Sequence, residues 1–240
     1  MKQKVLITRP INDAQETANI LRQKGYDVFC ENFLTVHYHE IKIPDLNNFE
    51  GLIFTSRHAV RMLCQNTDQR DVPVFTVGDK TAEEASLNKF KDIKSAAGDV
   101  GDLVQLLNDN LKSVKPYLYA RGRDVSAPLA EMLLGQDVNE IILYHTDKND
   151  EISSDCLEML QKHAFSHILF YSKRTAVAFA EVIEANPQKT ALLDGLKEAK
   201  ALCLGSSMVE YLSILPWQSI EVAQEPNQQA LMALLPSADQ

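Results

Sequence analysis

The chain alternates short apolar runs with longer amphipathic stretches, and this alternation constrains its fold more than any other feature. The runs "VLIT", "GLIF", "PVFT", "YLYA", "HILF" and "ALCL" are almost continuously apolar. Each is followed by a stretch with the spacing of an amphipathic helix. Strands that are buried on both faces and alternate with helices form parallel sheets covered by helices on both sides. We therefore predict an α/β fold built from α/β/α layers.

Three kinds of turn follow these runs, and each kind occurs twice. "VLITRP" and "YLYARG" contain an arginine, "IFTSRHAV" and "LFYSKRTAV" contain a serine followed by cations, and "VFTVGDKT" and "LCLGSSMV" contain a glycine. A repeated series of this kind indicates an internal duplication.

The domain organisation is left open by length and spacing alone. A chain of 240 residues can form one large domain or two smaller ones. Two tandem halves would divide the turn series in the middle. However, the first arginine turn stands about 110 residues before its counterpart, as it would if one domain were inserted into another. The two crossings between the domains would then lie near 34–40 and 144–150.

Composition excludes several classes of function. A net charge of −9 and a sequence pI near 5.2 leave no basic footprint for nucleic acid. Four widely separated cysteines without a CxxC pair argue against structural zinc and a disulfide framework, and favour reduced thiols in the cytoplasm. No apolar run has the length of a membrane span. The dinucleotide and P-loop signatures are also absent.

Two pairs of histidines raise the question of a metal site. "HAFSH" at 163–167 has the spacing of a zinc motif but lacks its glutamate, so a coincidental pair is the better interpretation. In "HYH", His37 and His39 share one face of a predicted strand, with no third ligand nearby in the sequence. We predict exposure to solvent or a hinge contact for this pair, and no metal.

The turns themselves are the candidate ligand site. Ligands of open parallel sheets bind beyond the carboxyl ends of the strands, where these turns lie. Arginine or lysine at the start of a helix opposes the helix dipole, whereas an anion there is favoured by the dipole and the amides. For any single turn, a polar loop with a helix cap is the favoured explanation. The cations and hydroxyls of all six turns together indicate a site for a polyanion. These residues are Thr8, Arg9, Thr55, Ser56, Arg57, Lys80, Arg121, Arg123, Ser172, Lys173, Arg174, Ser206 and Ser207.

Tyr144 is singled out by its position. It ends the run "EIILY", where the second crossing between domains would begin, so it would face a gap between them. A tyrosine packed in a core or an interface is the alternative.

Taken together, the quoted turns, "IILYHT" and "EPNQQALMALL" resemble the uroporphyrinogen-III synthase family, in order and over nearly the whole chain. The resemblance implies two flavodoxin-like α/β/α domains with parallel sheets, one inserted in the other. Domain 1 would comprise 1–35 and 149–240, and domain 2 would comprise 39–144. Residues 36–38 and 145–148 would form a two-stranded linker.

The resemblance also implies an activity. A lyase of this family cyclises hydroxymethylbilane to uroporphyrinogen III, with inversion of ring D and loss of water, in the cleft between the domains and without a cofactor. A non-catalytic two-domain protein that binds a small polyanion is the alternative. The implied partners are hydroxymethylbilane and, as an open possibility, the upstream hydroxymethylbilane synthase. We expect a cytoplasmic monomer that contacts neither nucleic acid nor membrane.

The family pattern assigns roles to individual residues. Tyr144 would be the acid that assists the leaving hydroxyl. The family's last glycine turn reads G-P-x-T, whereas here Met208 stands at its end, so Ser206 or Ser207 would supply the donor. The substrate-binding residues implied are Arg9, Thr55, Ser56, Arg57, Gly78, Thr81, Arg121, Gly122, Ser172, Lys173, Gly205, Ser206 and Ser207.

Overall fold

The structure is a computed structural model that describes residues 3–110, 115–125, 127–133 and 135–236. Its strands are β1 (Lys4–Ile7), β2 (Asp27–Cys30), β3 (Leu34–Tyr38), β4 (Gly51–Phe54), β5 (Val74–Thr76), β6 (Ile93–Ser95), β7 (Tyr117–Gly122), β8 (Val138–Lys148), β9 (Phe165–Phe170), β10 (Lys200–Cys203) and β11 (Ser219–Val222). Its helices are α1 (Ile11–Gln23), α2 (Arg57–Asn66), α3 (Asp79–Leu87), α4 (Val100–Asp109), α5 (Leu129–Met132), α6 (Ser154–Gln161), α7 (Lys173–Ala185), α8 (Lys189–Leu196), α9 (Val209–Leu212) and α10 (Gln228–Ala233). Within the described ranges, no helix has the length and apolar character that crossing a membrane requires.

The chain divides into two compact units. Unit 1 comprises Met1–Thr35 and Asp147–Gln240, and unit 2 comprises Val36–Thr146. Unit 2 is therefore a continuous segment that interrupts the sequence of unit 1. The predicted linker segments 36–38 and 145–148 fall on β3 and β8, which lie side by side in one sheet. Their role as a linker stays a prediction.

Unit 1 has a five-stranded sheet in the order β11-β10-β9-β1-β2, with parallel pairing throughout. Numbered along the chain, these strands run 2-1-3-4-5 across the sheet, which is the flavodoxin order. The predicted α/β class with parallel sheets is confirmed.

Unit 2 departs from the flavodoxin order. Its sheet has the order β3-β8-β7-β4-β5-β6, and the strands from β4 to β8 pair in parallel. Numbered along the chain from β4, these five strands run 3-2-1-4-5 across the sheet. The first of these five strands, β4, therefore lies in the middle of the sheet, flanked by β5 and β7.

The predicted duplication is visible in the order of the strands. In unit 1 the strand before the serine turn, β9, lies between the strand before the glycine turn, β10, and the strand before the arginine turn, β1. In unit 2, β4 lies in the same way between β5 and β7. Along the chain, the strand before the arginine turn is the first of these three strands in unit 1, where it is β1. In unit 2 it is the last of the three, β7. The two units thus share one arrangement in permuted chain order.

Each sheet is covered on both faces, which explains the continuous apolar runs. In β9, Ile168 belongs to one apolar cluster and its neighbour Leu169 to another. In β4, Phe54 and Ile53 are divided between two clusters in the same way. Because successive side chains of a strand point to opposite faces, both faces of each sheet are buried under helices.

Candidate functional site

In unit 1 the chain continues from β1 to β2 towards one edge of the sheet, and from β9 to β10 and β11 towards the other edge. The strand order therefore reverses between β1 and β9, and ligands of open parallel sheets bind at such a point. The guanidinium carbon of Arg9, just after β1, lies 4.2 Å from the ring centroid of Tyr171, just after β9. The Thr8 hydroxyl donates to the carbonyl of Leu169 at 2.7 Å. Burial raises the pKa of Tyr171, against a smaller lowering by the Arg9 charge, so the phenol remains neutral. A cation and a neutral ring therefore occupy this strand edge together.

The start of α7 stands beside this pair. The Ser172 hydroxyl caps the helix, accepting from the amide of Thr175 at 3.2 Å. Lys173 is the first helical residue and is exposed, with Nζ 4.8 Å from the ring centroid of Tyr211. A hydrogen bond with Tyr211 raises the pKa of Lys173. A charged amine thus stands where the first-turn amides lack carbonyl partners within the helix.

The glycine turn of unit 1 follows β10. Gly205 has an extended backbone, with φ −157°, and a Cβ added there would meet nothing within 4 Å. Neither conformation nor packing within the described residues requires a glycine here, so the space in front of this turn is open. Ser206 and Ser207 are exposed, whereas Met208 is buried in the core of unit 1. The departure from the family pattern therefore lies inside the core, and both hydroxyls remain at the surface.

In unit 2 the strand order reverses between β4 and β7, which is the corresponding place for a ligand. The hydroxyls of Thr55, after β4, and Tyr119, on β7, are 3.1 Å apart and join the two strands. Burial raises the pKa of Tyr119, so its phenol stays protonated. The Ser56 hydroxyl caps α2 and accepts from the amide of His58 at 3.2 Å. Arg57, the first residue of that helix, is half-buried.

The glycine turn of unit 2 repeats the pattern of unit 1 with two differences. Gly78 precedes α3 with an extended backbone, φ −145°, and an added Cβ would again meet nothing within 4 Å. Thr81 is buried, and its amide donates to the carbonyl of Gly78 at 3.0 Å. Asp79 brings a carboxylate to the first turn, where it accepts from the Ser95 hydroxyl at 2.8 Å. The feature common to both glycine turns is thus the open space where a side chain would begin.

Arg121 is already engaged within unit 2. Its guanidinium donates to a carboxylate oxygen of Glu140 at 2.6 Å and to the carbonyls of Gly122 and Arg123 at 2.9 and 3.0 Å. The side chain is 14% exposed. Contact with a ligand would require this guanidinium to leave a carboxylate, so its predicted binding role stays a prediction.

Tyr144 lies on β8 opposite Gly122 of β7, at an irregularity in the pairing of the two strands. A Cβ on Gly122 would fall 2.7 Å from Cζ and 3.0 Å from the hydroxyl of Tyr144. Tyr38 and His58 also lie near this tyrosine, with ring centroids 6.4 and 5.7 Å from that of Tyr144. The Tyr38 hydroxyl and Nδ1 of His58 are 3.2 Å apart. Glycine therefore makes the space in which the phenol lies.

A family model described as Uroporphyrinogen-III synthase HemD matches residues 15–233, which is most of the chain. The chain belongs to the uroporphyrinogen-III synthase family. Membership places it among enzymes of porphyrin and haem biosynthesis.

Individual relatives of the uroporphyrinogen-III synthase family are distant. A Helicobacter pylori uroporphyrinogen-III synthetase of known structure superposes with a TM-score of 0.59 at 19% identity, over 98% of both chains. An Archaeoglobus fulgidus protein provisionally named uroporphyrinogen-III synthase is 24% identical over 216 residues, 88% of each chain. A Rickettsia prowazekii relative is 23% identical over 184 residues, and the match spans 61% of its length. At these identities the solved structure is evidence for the fold.

Sequence reasoning from the family pattern missed the aromatic partners. Tyr171, Tyr119 and Tyr38 read as ordinary strand residues, yet each contacts a predicted site residue or its neighbour. The signal present in the sequence was weak: Tyr171 directly precedes the serine of its turn, and Tyr119 lies two residues before Arg121.

Three cavities of unit 1, of about 530, 640 and 610 Å³, lie away from these turns. The first is lined by residues of α6 and of the C-terminal end of α7, and the second lies at the amino ends of β1 and β9. None of the three is lined by a residue predicted to bind substrate. The polar and charged side chains at the carboxyl ends of the strands are therefore separate from these three cavities.

No histidine other than His37 and His39 is near "HYH" in the sequence, but the fold brings His145 beside this pair. Nδ1 of His145 lies 2.7 Å from Nε2 of His39, and its ring stacks on His37 with centroids 4.9 Å apart. The two histidines of "HAFSH" have different surroundings. His167 is buried on β9, whereas His163 faces the carboxylates of Asp194 and Glu198.

Proposed function

We propose that this chain is a uroporphyrinogen-III synthase. It binds hydroxymethylbilane, removes the terminal hydroxyl as water and closes the macrocycle with ring D inverted. We include in the proposal the location that the family resemblance implies, the cleft between the two domains, and a reaction without a cofactor. We also propose that the chain works as a cytoplasmic monomer, and we leave transfer from hydroxymethylbilane synthase as an optional partnership.

Binding is assigned to the turns at the carboxyl ends of the strands. The substrate is a flexible polyanion, so many donors spread over two sheet edges fix its shape better than one charged pocket would. Amides at the starts of α3 and of the helical turn at Ser206 donate without loss of side-chain entropy. Arg9 and Lys173 supply positive charge at the edge of unit 1.

Tyr144 is assigned the acid role at the leaving hydroxyl. The pyrrole nitrogen pushes out the hydroxyl, which takes a proton from the phenol and departs as water. An azafulvene cation remains on the bilane. The electron-rich pyrrole supplies most of the driving force, so an acid as weak as a phenol is sufficient.

Ring closure then depends on shape. The substituted α-carbon of ring D attacks the cation through a spiro intermediate, the bond to the former bridge breaks and re-forms at the other α-carbon, and ring D is inverted. Loss of one proton restores the aromatic pyrrole and can return to Tyr144, so one water is the only by-product. Without the enzyme the bilane closes to the uninverted isomer, so the catalytic task is positioning.

The observation that carries the proposal is the common order of glycine, serine and arginine turns along the sheet edge of both units. The test is to supply the purified protein with bilane formed in situ and to separate the porphyrin isomers after oxidation. We expect the type III isomer to dominate. Only type I isomer, together with measurable product binding, would replace this proposal with the non-catalytic polyanion binder.

The role of Tyr144 has its own test. Tyr144→Phe should lower the rate by about 10²-fold or more, the range of a lost general acid, with little change in product affinity. Tyr117→Phe is the matched control because Tyr117 lies at the amino end of β7 and its buried hydroxyl has no hydrogen-bond partner among the described residues. Equal losses of rate and affinity in Tyr144→Phe would remove the acid role.

A further inference from the structure

Three histidines converge on the paired strands β3 and β8, outside the machinery assigned above. His37 is on β3, His39 is the first residue after β3, and His145 is on β8. His37 and His39 share one face by strand alternation. The His145 ring lies close to both, with centroids 4.9 Å from His37 and 5.0 Å from His39.

The ring nitrogens of this cluster are close together. Nε2 of His39 lies 2.7 Å from Nδ1 of His145, and a ring nitrogen of His37 lies within 4.8 Å of one on His145. Nitrogens bound to one tetrahedral Zn²⁺ stand about 3.3 Å apart, given Zn–N bonds of about 2.0–2.1 Å. Because the ring of His37 is stacked on that of His145, the His37 side chain would have to turn for its nitrogen to face the same ion.

The hydrogen bonds favour one tautomer of His39. Its Nδ1 lies 3.3 Å from the carbonyl of Ile142, which can only accept a hydrogen bond, so Nδ1 carries the proton. Nε2 is then the unprotonated nitrogen, and it accepts from Nδ1 of His145. Metal-ligating histidines show this arrangement, with one nitrogen on the metal and the other donating to a carbonyl. When a metal takes Nε2 of His39 and Nδ1 of His145, the proton of His145 moves to Nε2 of the same ring.

We propose that His37, His39 and His145 form a binding site for a divalent ion of the zinc class. Imidazole is a preferred ligand of Zn²⁺, and three histidines with one open position are a known zinc donor set. His37 is exposed, and His39 and His145 are half-exposed, so the ion can enter from solvent. The bound ion joins β3 to β8 and stabilises this pair of strands.

The test uses chelator-treated full-length protein titrated with Zn²⁺ against a chromophoric competitor, and with Co²⁺ as a spectroscopic probe. We expect one equivalent to bind and Co²⁺ to give the intense visible absorption of a tetrahedral site. His145→Gln and His39→Gln should weaken Zn²⁺ binding by more than about tenfold, because each removes a ligand. Zn²⁺ should also raise the melting temperature of the wild-type protein more than that of either variant.

His163→Gln is the matched control, because His163 is a partly exposed histidine next to two carboxylates in unit 1. It should bind Zn²⁺ as the wild type does. Circular dichroism establishes that each variant is folded before titration. Absence of stoichiometric binding, or a site lost in His163→Gln and kept in His145→Gln, would overturn the proposal.

Discussion

Gly122 and Tyr144 face each other across β7 and β8 so closely that a single methyl group on the glycine would lie 2.7 Å from Cζ of the tyrosine. Gly122 is buried, so this methyl would have no free space to occupy. The glycine thus fixes where the phenol can lie. The same two residues carry the proposed acid and one of the predicted binding turns.

This contact predicts coupled effects on stability. Gly122→Ala should lower the free energy of unfolding by about 1–3 kcal/mol, the usual cost of overpacking. Tyr144→Ala removes the ring, so adding Gly122→Ala to that background should cost at least about 1 kcal/mol less. Urea denaturation followed by circular dichroism measures both. Additive losses would mean that the ring does not occupy the space next to Gly122.

The two open glycines predict the opposite outcome. Gly78→Ala and Gly205→Ala place a methyl in empty space on extended backbone. The poorer helix cap and the smaller unfolded-state entropy nearly cancel, so stability should change by less than about 0.5 kcal/mol. Affinity for uroporphyrin III, measured by fluorescence, should fall several-fold because the methyl occupies space at the turn that a bound carboxylate would need. Gly51→Ala is the control: its Cβ would lie 2.8 Å from the Phe75 ring, so it should lose stability. Unchanged affinity in both edge variants would remove the glycine turns from the site.

The ion pair between Arg121 and Glu140 allows the predicted binding role of Arg121 to be tested. Glu140→Gln releases the guanidinium, so we expect affinity for uroporphyrin III to rise a few-fold while stability falls by about 1 kcal/mol. Glu84→Gln is the matched control, because it breaks a 2.7 Å pair with Arg61 between α2 and α3 of the same unit. It should lose similar stability and leave affinity unchanged. If Glu140→Gln also leaves affinity unchanged, Arg121 is a structural residue.

The class of fold could be predicted from the sequence because its signals are local. Apolar runs such as Ile168–Phe170 are buried on both faces, which is possible only for interior strands of a covered sheet. The serines at 56 and 172 were predicted at helix starts, and both cap their helices. Turn chemistry and periodicity depend on a few consecutive residues, so they are readable without tertiary information.

The contacts that complete the candidate site could not be predicted because they join distant parts of the chain. Thr8 and Leu169 are 161 positions apart, and His39 and His145 are 106 apart. Such pairs depend on strand order, which the sequence does not state. Unit 1 has the flavodoxin strand order. Unit 2 does not, because β4, the first of its five parallel strands along the chain, lies at the centre of the sheet. The third histidine near "HYH" was missed for the same reason.

His167 predicts a dependence of stability on pH in unit 1. The imidazole is buried on β9, and burial, with a smaller contribution from the Lys200 charge, lowers its pKa below the ordinary value. In the unfolded chain the group protonates near pH 6.5, so between that pH and the lower folded pKa the unfolded state binds more protons. The contribution of neutral His167 to the free energy of unfolding is therefore fully present above pH 6.5. It is lost as the pH falls, by at most about 1.4 kcal/mol per pH unit.

The measurement of this effect can use Trp217, the single tryptophan of the chain, which packs against Phe170 and Phe179 in the core of unit 1. Urea unfolding followed by its fluorescence at several pH values between 5 and 7.5 gives the slope of the unfolding free energy. His167→Gln should flatten that slope while it lowers stability at pH 7.5 through lost packing. The slope is the informative quantity because the packing loss is the same at every pH. Parallel pH profiles for the two proteins would show that His167 is not the group whose protonation destabilises unit 1.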